Sequence, residues 1–198
     1  MKKLSIIICL FTVIACKKEI KEELPVFYTY EAMIAQREKQ NDTSLPPPPP
    51  SHSSYYSAHN FIVDSLGSLY YFDYKTPFIP GCGTGHDTIY PAKFINLKPG
   101  QLIKIPPSEI EKFVKRKILA DTVSDNLILI SVGCEKDTFH SQDLSKVSEL
   151  LNTKIRLFMC RRITQEESEV LNHKKRKIPY DYHLIKWDSV RTTFKKNY

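Results

Sequence analysis

The chain has 198 residues, with 29 Lys or Arg against 22 Asp or Glu and a formal charge of +7. That length supports one hydrophobic core of ordinary size and hardly two. The basic excess is gathered at one end: residues 161–198 hold ten Lys or Arg against five acids, a pattern that suits a solvated face or contact with anionic head groups.

Lys2 and Lys3 open the chain, and Leu4 to Ala15 follow as 12 residues without a charge. A membrane-spanning helix needs ~20 apolar residues, so this run fits a cleaved signal better than a permanent span. Val13-Ile14-Ala15-Cys16 resembles the lipobox of bacterial lipoproteins. The resemblance implies cleavage after Ala15, a diacylglyceryl group on the Cys16 sulfur and acylation of the new amino group. Each buried methylene contributes ~0.8 kcal/mol, so two or three acyl chains hold a protein on a membrane. A buried N-terminal helix, or an ordinary secretory signal with a chance cysteine, are the competing explanations. The implied location is the bacterial cell envelope, at the outer membrane, on either its periplasmic or its surface side. The mature chain, Cys16 to Tyr198, keeps 183 residues and a charge of +5. Its expected partners are the membrane, an envelope protein, peptidoglycan or lipopolysaccharide; nucleic acid does not suit an exported lipoprotein, and no cofactor is expected.

Lys17 to Leu24, KKEIKEEL, is similar to the charged segment behind the anchor in lipoproteins of the Bacteroidetes, where an acid-rich stretch can mark surface export. Val26 to Gln40 carries Tyr28, Tyr30, Met33 and Ile34, enough for a short helix from Tyr30 that would be weak alone. Pro46 to Pro50 favour polyproline II, a stiff spacer of roughly 15 Å, with a proline-rich SH3-type ligand as the other reading. The expected organisation is a signal peptide (1–15), a lipidated N-terminus and proline-rich tether (16–54) and one domain (55–198).

Within that domain, Asn60–Asp64 and Leu69–Tyr74 are rich in β-formers, and Ser65-Leu66-Gly67-Ser68 joins them as a hairpin. Residues 76–100 hold four prolines and four glycines and predict an irregular excursion with a strand near Lys93 to Asn96. Ser108 followed by Glu111 has the spacing of a capping box, with Ile110, Phe113, Val114 and Ile118 along one helical face. Leu127–Val132 has the length and branching of a strand buried on both faces. Ser141 opens a helix bearing Leu144, Val147 and Leu151, and Ile155–Cys160 is the next strand. Thr164 and Glu167 make a second capping box for a helix to about His173, and YHLIKW near the end could pair as an edge strand.

A strand–helix–strand unit over 127–160 almost always closes with parallel strands. The fold class is therefore α+β: a small mixed sheet with helices on one face. The hairpin FIVDSLGSLYYFDY, the helix after Ser108 and LILISVGCEKDTFHSQDLSKVSELLNTKI together resemble the periplasmic domain of ExbD/TolR-type proteins. That resemblance covers roughly 60–160 and implies an envelope domain that binds partners or cell-wall material, not an enzyme. The family's coupling aspartate lies in a permanent membrane helix; Leu4 to Ala15 has no acid, so the motor role does not carry over. The layout of lipobox, polyproline and one α+β domain is also similar to uncharacterised lipoproteins of the Bacteroidetes.

Cys9 leaves with the signal and Cys16 is the lipidation site, leaving Cys82, Cys134 and Cys160 as disulfide candidates. Cys82–Cys134 and Cys134–Cys160 are both open pairings. Cys82 and His86 of GCGTGHD, joined by Cys134 and Cys160 at the carboxyl ends of parallel strands, offer zinc its thiolate and imidazole donors, although the spacing matches no standard motif. This defines the alternative: a thiol- or zinc-dependent envelope enzyme. The glycines of GCGTGHD lack the flanking strand and helix of a phosphate loop. His140, Ser141 and Asp143 gather triad residue types without a GxSxG elbow. Glu166, Glu167 and Glu169 could supply paired carboxylates but crowd the first turn of a helix, where acids stabilise the dipole. Tyr55, Tyr56, Tyr70, Tyr71, Phe72 and Tyr74 suit either a carbohydrate-stacking face or cross-hairpin packing.

Overall fold

The computed structural model describes residues 24–41, 44, 56–74, 92–120, 128–152 and 155–193. The elements are β1 (Val26–Tyr28), α1 (Tyr30–Lys39), β2 (His59–Val63), β3 (Leu69–Asp73), β4 (Ala92–Lys93) and β5 (Ile103–Ile105). They continue with α2 (Ile110–Phe113), β6 (Ile128–Cys134), β7 (Thr138–His140), α3 (Gln142–Leu151), β8 (Ile155–Arg162), α4 (Gln165–Arg176) and β9 (Thr192–Thr193). The protein has an α+β fold around a five-stranded open sheet of order β5-β3-β2-β6-β8. β2, β6 and β8 run parallel, while β3 is antiparallel to both β2 and β5, so the sheet is mixed as the sequence predicts.

The β2–β3 turn forms as expected, and its geometry has a local cause. Asp64 Oδ1 accepts the backbone N–H groups of Leu66 and Ser68, and Gly67 takes φ +83°, a conformation open to glycine without steric cost. Phe61 lies directly across from Tyr71, their rings meeting edge-on at 5.3 Å. Tyr56, Tyr70, Tyr71 and Phe72 are buried and Tyr74 packs against the same core as Tyr56, so these rings are used in packing; Tyr55 lies outside the described residues.

Residues 60–63 are buried without a break, because the sheet is a central layer with a core on each side. On one side Phe61, Val63, Tyr71, Ile130 and Val132 pack against Ile110, Val114 and Ile118 and against Leu144, Val147 and Leu151 of α3. On the other, Ile62, Tyr70 and Phe72 pack against Val170 and Leu171 of α4, with Tyr56, Leu97 and Leu102. The expectation of helices on one face is corrected in this respect, since α4 covers the second. An uninterrupted apolar run carries no alternation from which that second layer could be read.

The α3 and α4 starts match their sequence signatures. Ser141 Oγ accepts Leu144 N–H at 3.2 Å, and Thr164 and Glu167 bond reciprocally in a capping box. The Ser108–Glu111 box does not form. Pro106 stands at the cap position, a 3₁₀ turn over Pro107–Glu109 leads in, and Glu111 instead receives Lys115 Nζ at 2.7 Å. Two prolines set the entry conformation and override the capping pattern. The helix then widens into π-helical turns over Val114–Leu119, keeping Ile110, Val114 and Ile118 buried at four-residue steps. YHLIKW makes no edge strand. Tyr182–Leu184 is a 3₁₀ turn capped by Asp181, and Trp187 Nε1 donates to Tyr182 O at 2.8 Å.

The expected boundary at residue 55 also needs correction. β1 pairs antiparallel with β7, placing Phe27 opposite Phe139 with their rings stacked at 5.5 Å. Thr29 N–H donates to Asp137 O at 2.8 Å while Thr29 Oγ1 caps α1, and the Glu31 carboxylate accepts Arg162 N–H at 3.1 Å. The segment assigned to the tether thus includes part of the folded unit. Pro46 to Pro50 fall outside the described residues, but in chain order they connect two parts of that unit and do not separate it from Cys16.

If β1 belongs to the fold, Phe27→Ala should destabilise the protein by about 2–3 kcal/mol in urea unfolding. Met33→Ala, at an exposed position on α1, should change stability by less than about 0.5 kcal/mol. Equal effects from the two would contradict the assignment.

Candidate functional site

β8 alternates its side chains between the two cores. Cys160 enters the first, with Cys134 of β6, and Arg161 enters the second. The two buried thiols interact with each other, and Cys134 also donates weakly to Val132 O at 3.6 Å. The hydrogen bond to Cys160, together with burial, raises the Cys134 thiol far above its ordinary range, which favours the neutral thiol at neutral pH. Cys160 pairs in register with Val132, two residues before Cys134. Strand rise and spacing put the two Cα atoms ~8 Å apart, beyond the ~7 Å that a disulfide spans without backbone movement.

Cys16, Cys82 and His86 lie outside the described residues. Tyr74 and Ala92, which flank the segment carrying Cys82 and His86, both pack in the second core, across the sheet from Cys134 and Cys160. Among the described residues, no three His, Cys, Asp or Glu side chains are arranged to hold a metal. The triad types do not assemble either. His140 Nδ1 meets Leu24 O at 3.0 Å, and Ser141 is the α3 cap.

What the structure brings together instead is a charged cluster in the second core, at the carboxyl ends of β6 and β8. The Arg161 and Glu167 side chains are fully buried and meet in a fork, Nη1 to Oε2 and Nη2 to Oε1, both at 2.8 Å. Arg161 Nε donates to Ser131 Oγ at 3.2 Å, and Nη1 also reaches Arg162 O at 3.2 Å. The Tyr56 ring lies 5.3 Å from the guanidinium carbon, with its hydroxyl 3.2 Å from Thr164 Oγ1. Burial, followed by the Glu167 charge, pushes the Tyr56 phenol well above its ordinary value. Gly133 leaves room for the pair: a Cβ there would stand 2.9 Å from Glu167 Oε2 and 3.2 Å from Arg161 Nη1. The cluster is closed and satisfied by protein groups, so its chemistry is that of a clamp.

Two further contacts extend from α4. The Glu166 carboxylate accepts Ile95 N–H at 2.8 Å and Leu97 N–H at 2.6 Å, fastening an irregular stretch to the helix. Burial pushes its pKa up to about 7 despite those donors, with the Glu167 charge adding to the rise. Lys175 Nζ sits 2.9 Å from Asp64 and 3.9 Å from Glu135. Burial alone would raise Asp64, but the hydrogen bonds from Lys175, Ser68 and Leu66 carry it below its ordinary value. At the surface, Arg162 forks onto Asp137 at 2.7 and 2.6 Å and holds that carboxyl low.

Sequence reasoning placed Glu166 and Glu167 in a helix first turn and identified the capping box, but missed Arg161, Ser131, Gly133 and Tyr56 as a unit. The available signal was an arginine inside an apolar strand, six residues ahead of a capping glutamate. Comparison with known proteins supplies no family: no family model, curated protein or solved structure matches the chain.

Glu166 has a folded pKa near 7 against 4.5 unfolded, so the folded state holds an extra proton between those values. Its contribution to stability is full below pH 4.5 and is lost as pH rises through 7, by about 3 kcal/mol. Urea titrations should show the native protein weakening over that window relative to Glu166→Gln; parallel pH profiles would contradict the assignment.

Proposed function

We propose that this chain is a lipid-anchored protein of the bacterial cell envelope, held at the outer membrane through Cys16, and that its α+β domain acts as a binding or structural module. The observation that carries the reading is Val13-Ile14-Ala15-Cys16 directly after an uncharged run of 12 residues. Such a run is too short to span a bilayer and well suited to signal cleavage. Among the described residues, no helix is long and apolar enough to cross a membrane.

The domain supports a non-catalytic role through how its charges are used. Arg161, Glu167, Glu166 and Asp64 are buried and bonded to protein groups that hold the layers together. The rival, a thiol- or zinc-dependent enzyme using Cys82, His86, Cys134 and Cys160, would need Cys134 and Cys160 accessible, and both are buried in the first core. The raised thiol of Cys134 weighs against it as well.

The basic C-terminal segment makes a narrower case for lipopolysaccharide or peptidoglycan than its composition suggests. Arg161, Arg162, Lys174 and Lys175 are committed to internal partners, Lys174 through Pro99 O at 3.0 Å. An envelope protein or cell-wall polymer remains the proposed class of partner, with no nucleic acid involved.

Mass spectrometry of the full-length product extracted from bacterial membranes tests the anchor. The expected mass is that of Cys16–Tyr198 plus a diacylglyceryl and an acyl group, with Cys16→Ala blocking both cleavage and modification. An unmodified Cys16, or an N-terminus elsewhere, would overturn the reading.

A further inference from the structure

We propose that the outer face of the β1–β7 ribbon rests on the lipid surface, so that the domain is docked against the membrane and not held away from it. This rests on the lipid-anchor reading above. Strand alternation puts Leu24, Val26 and Tyr28 on one face of the extended chain, while Phe27 turns inward onto Phe139 and Phe158. The three outward residues are 41–42 % exposed, an apolar row that the fold leaves uncovered. Across from Val26 and Tyr28 stand His140 and Thr138, both exposed and neither a carboxylate. In the adjoining turn Asp137 is paired with Arg162, while Glu135 shares Lys175 with Asp64 at the longer distance of 3.9 Å and has the exposed Lys136 as its chain neighbour. The ribbon therefore offers lipid an apolar strip with an interfacial tyrosine and little to repel anionic head groups.

Chain length favours lipid as the occupant. Seven residues separate Cys16 from Leu24. Fully extended, the connection spans at most about 29 Å, so the apolar row is never far from the acyl chains. A face tethered so closely meets that surface at an effective concentration in the millimolar range, where even a weak apolar contact is occupied. The polyproline segment, which lies after β1 in the chain, cannot lengthen this connection.

The test uses the full-length lipidated protein in vesicles of phosphatidylethanolamine and phosphatidylglycerol, with and without bromine on the upper acyl carbons. The native chain has one tryptophan, Trp187, which gives the background emission. In Tyr28→Trp, the added emission should be blue-shifted and lose about half its intensity or more in brominated vesicles, as a ring at the head-group boundary would. Adding Val26→Glu should relieve that quenching while the protein still floats with the vesicles. Unfolding midpoints equal to the native value confirm that both variants are folded. If the protein floats and carries its acyl mass but the added emission of Tyr28→Trp is unquenched, the docking proposal is wrong and the anchor reading stands. If the chain neither floats nor carries acyl mass, the anchor reading fails and the docking proposal with it. A blue shift that bromine does not quench, and that grows with protein density, would assign the face to a second copy and overturn the proposal.

Discussion

Burying the Arg161 guanidinium and the Glu167 carboxylate together is the constraint on which the rest of this fold depends. Either ion alone in that position would cost several kcal/mol of lost hydration, so each fixes where the other must be. Their fork ties the end of β8 to the first turn of α4, Ser131 brings in β6, and Tyr56 closes the cluster from the chain just before β2. Gly133 is the concession that makes it fit, since any side chain there would press on both ions. With α4 pinned at its first turn, Glu166 and Lys175 reach the 94–97 stretch and the β2–β3 turn from the same helix.

That arrangement divides the molecule functionally. The sheet separates an apolar side, which holds the Cys134–Cys160 thiols, from a side where charge is concentrated and satisfied. Among the described residues, Arg161, Glu166, Glu167 and Asp64 are bonded to protein groups and fasten the layers. The surface left for interaction is therefore better sought at the periphery, and the N-terminal ribbon combines uncovered apolar side chains with closeness to the proposed anchor.

The parts of this fold legible in the sequence are those whose signal is local. Leu144, Val147 and Leu151 mark their helix face, Ser141 and Thr164 mark helix starts, and Gly67 marks the hairpin, because each depends on neighbours within a few residues. β1 escaped notice because three residues carry no usable period and its partner His140 lies 114 positions beyond Val26. The Ser108–Glu111 pattern misled because the local conformation of Pro106-Pro107 dominates. Arg161 was counted with the basic surface, since nothing in the strand itself says that a carboxylate from the following helix turns back to meet it. The resemblance of Val13-Ile14-Ala15-Cys16 to a lipobox is the one functional signal that residues alone offer; the clamp needed the tertiary structure.

A double-mutant cycle on Arg161→Met and Glu167→Gln tests the central claim most directly. Each single substitution strands a buried partner and should cost about 3–5 kcal/mol in equilibrium unfolding, with the double variant far less destabilised than the sum. Additive losses within about 0.5 kcal/mol would mean that the two side chains stabilise the protein independently and that the clamp does not organise the fold.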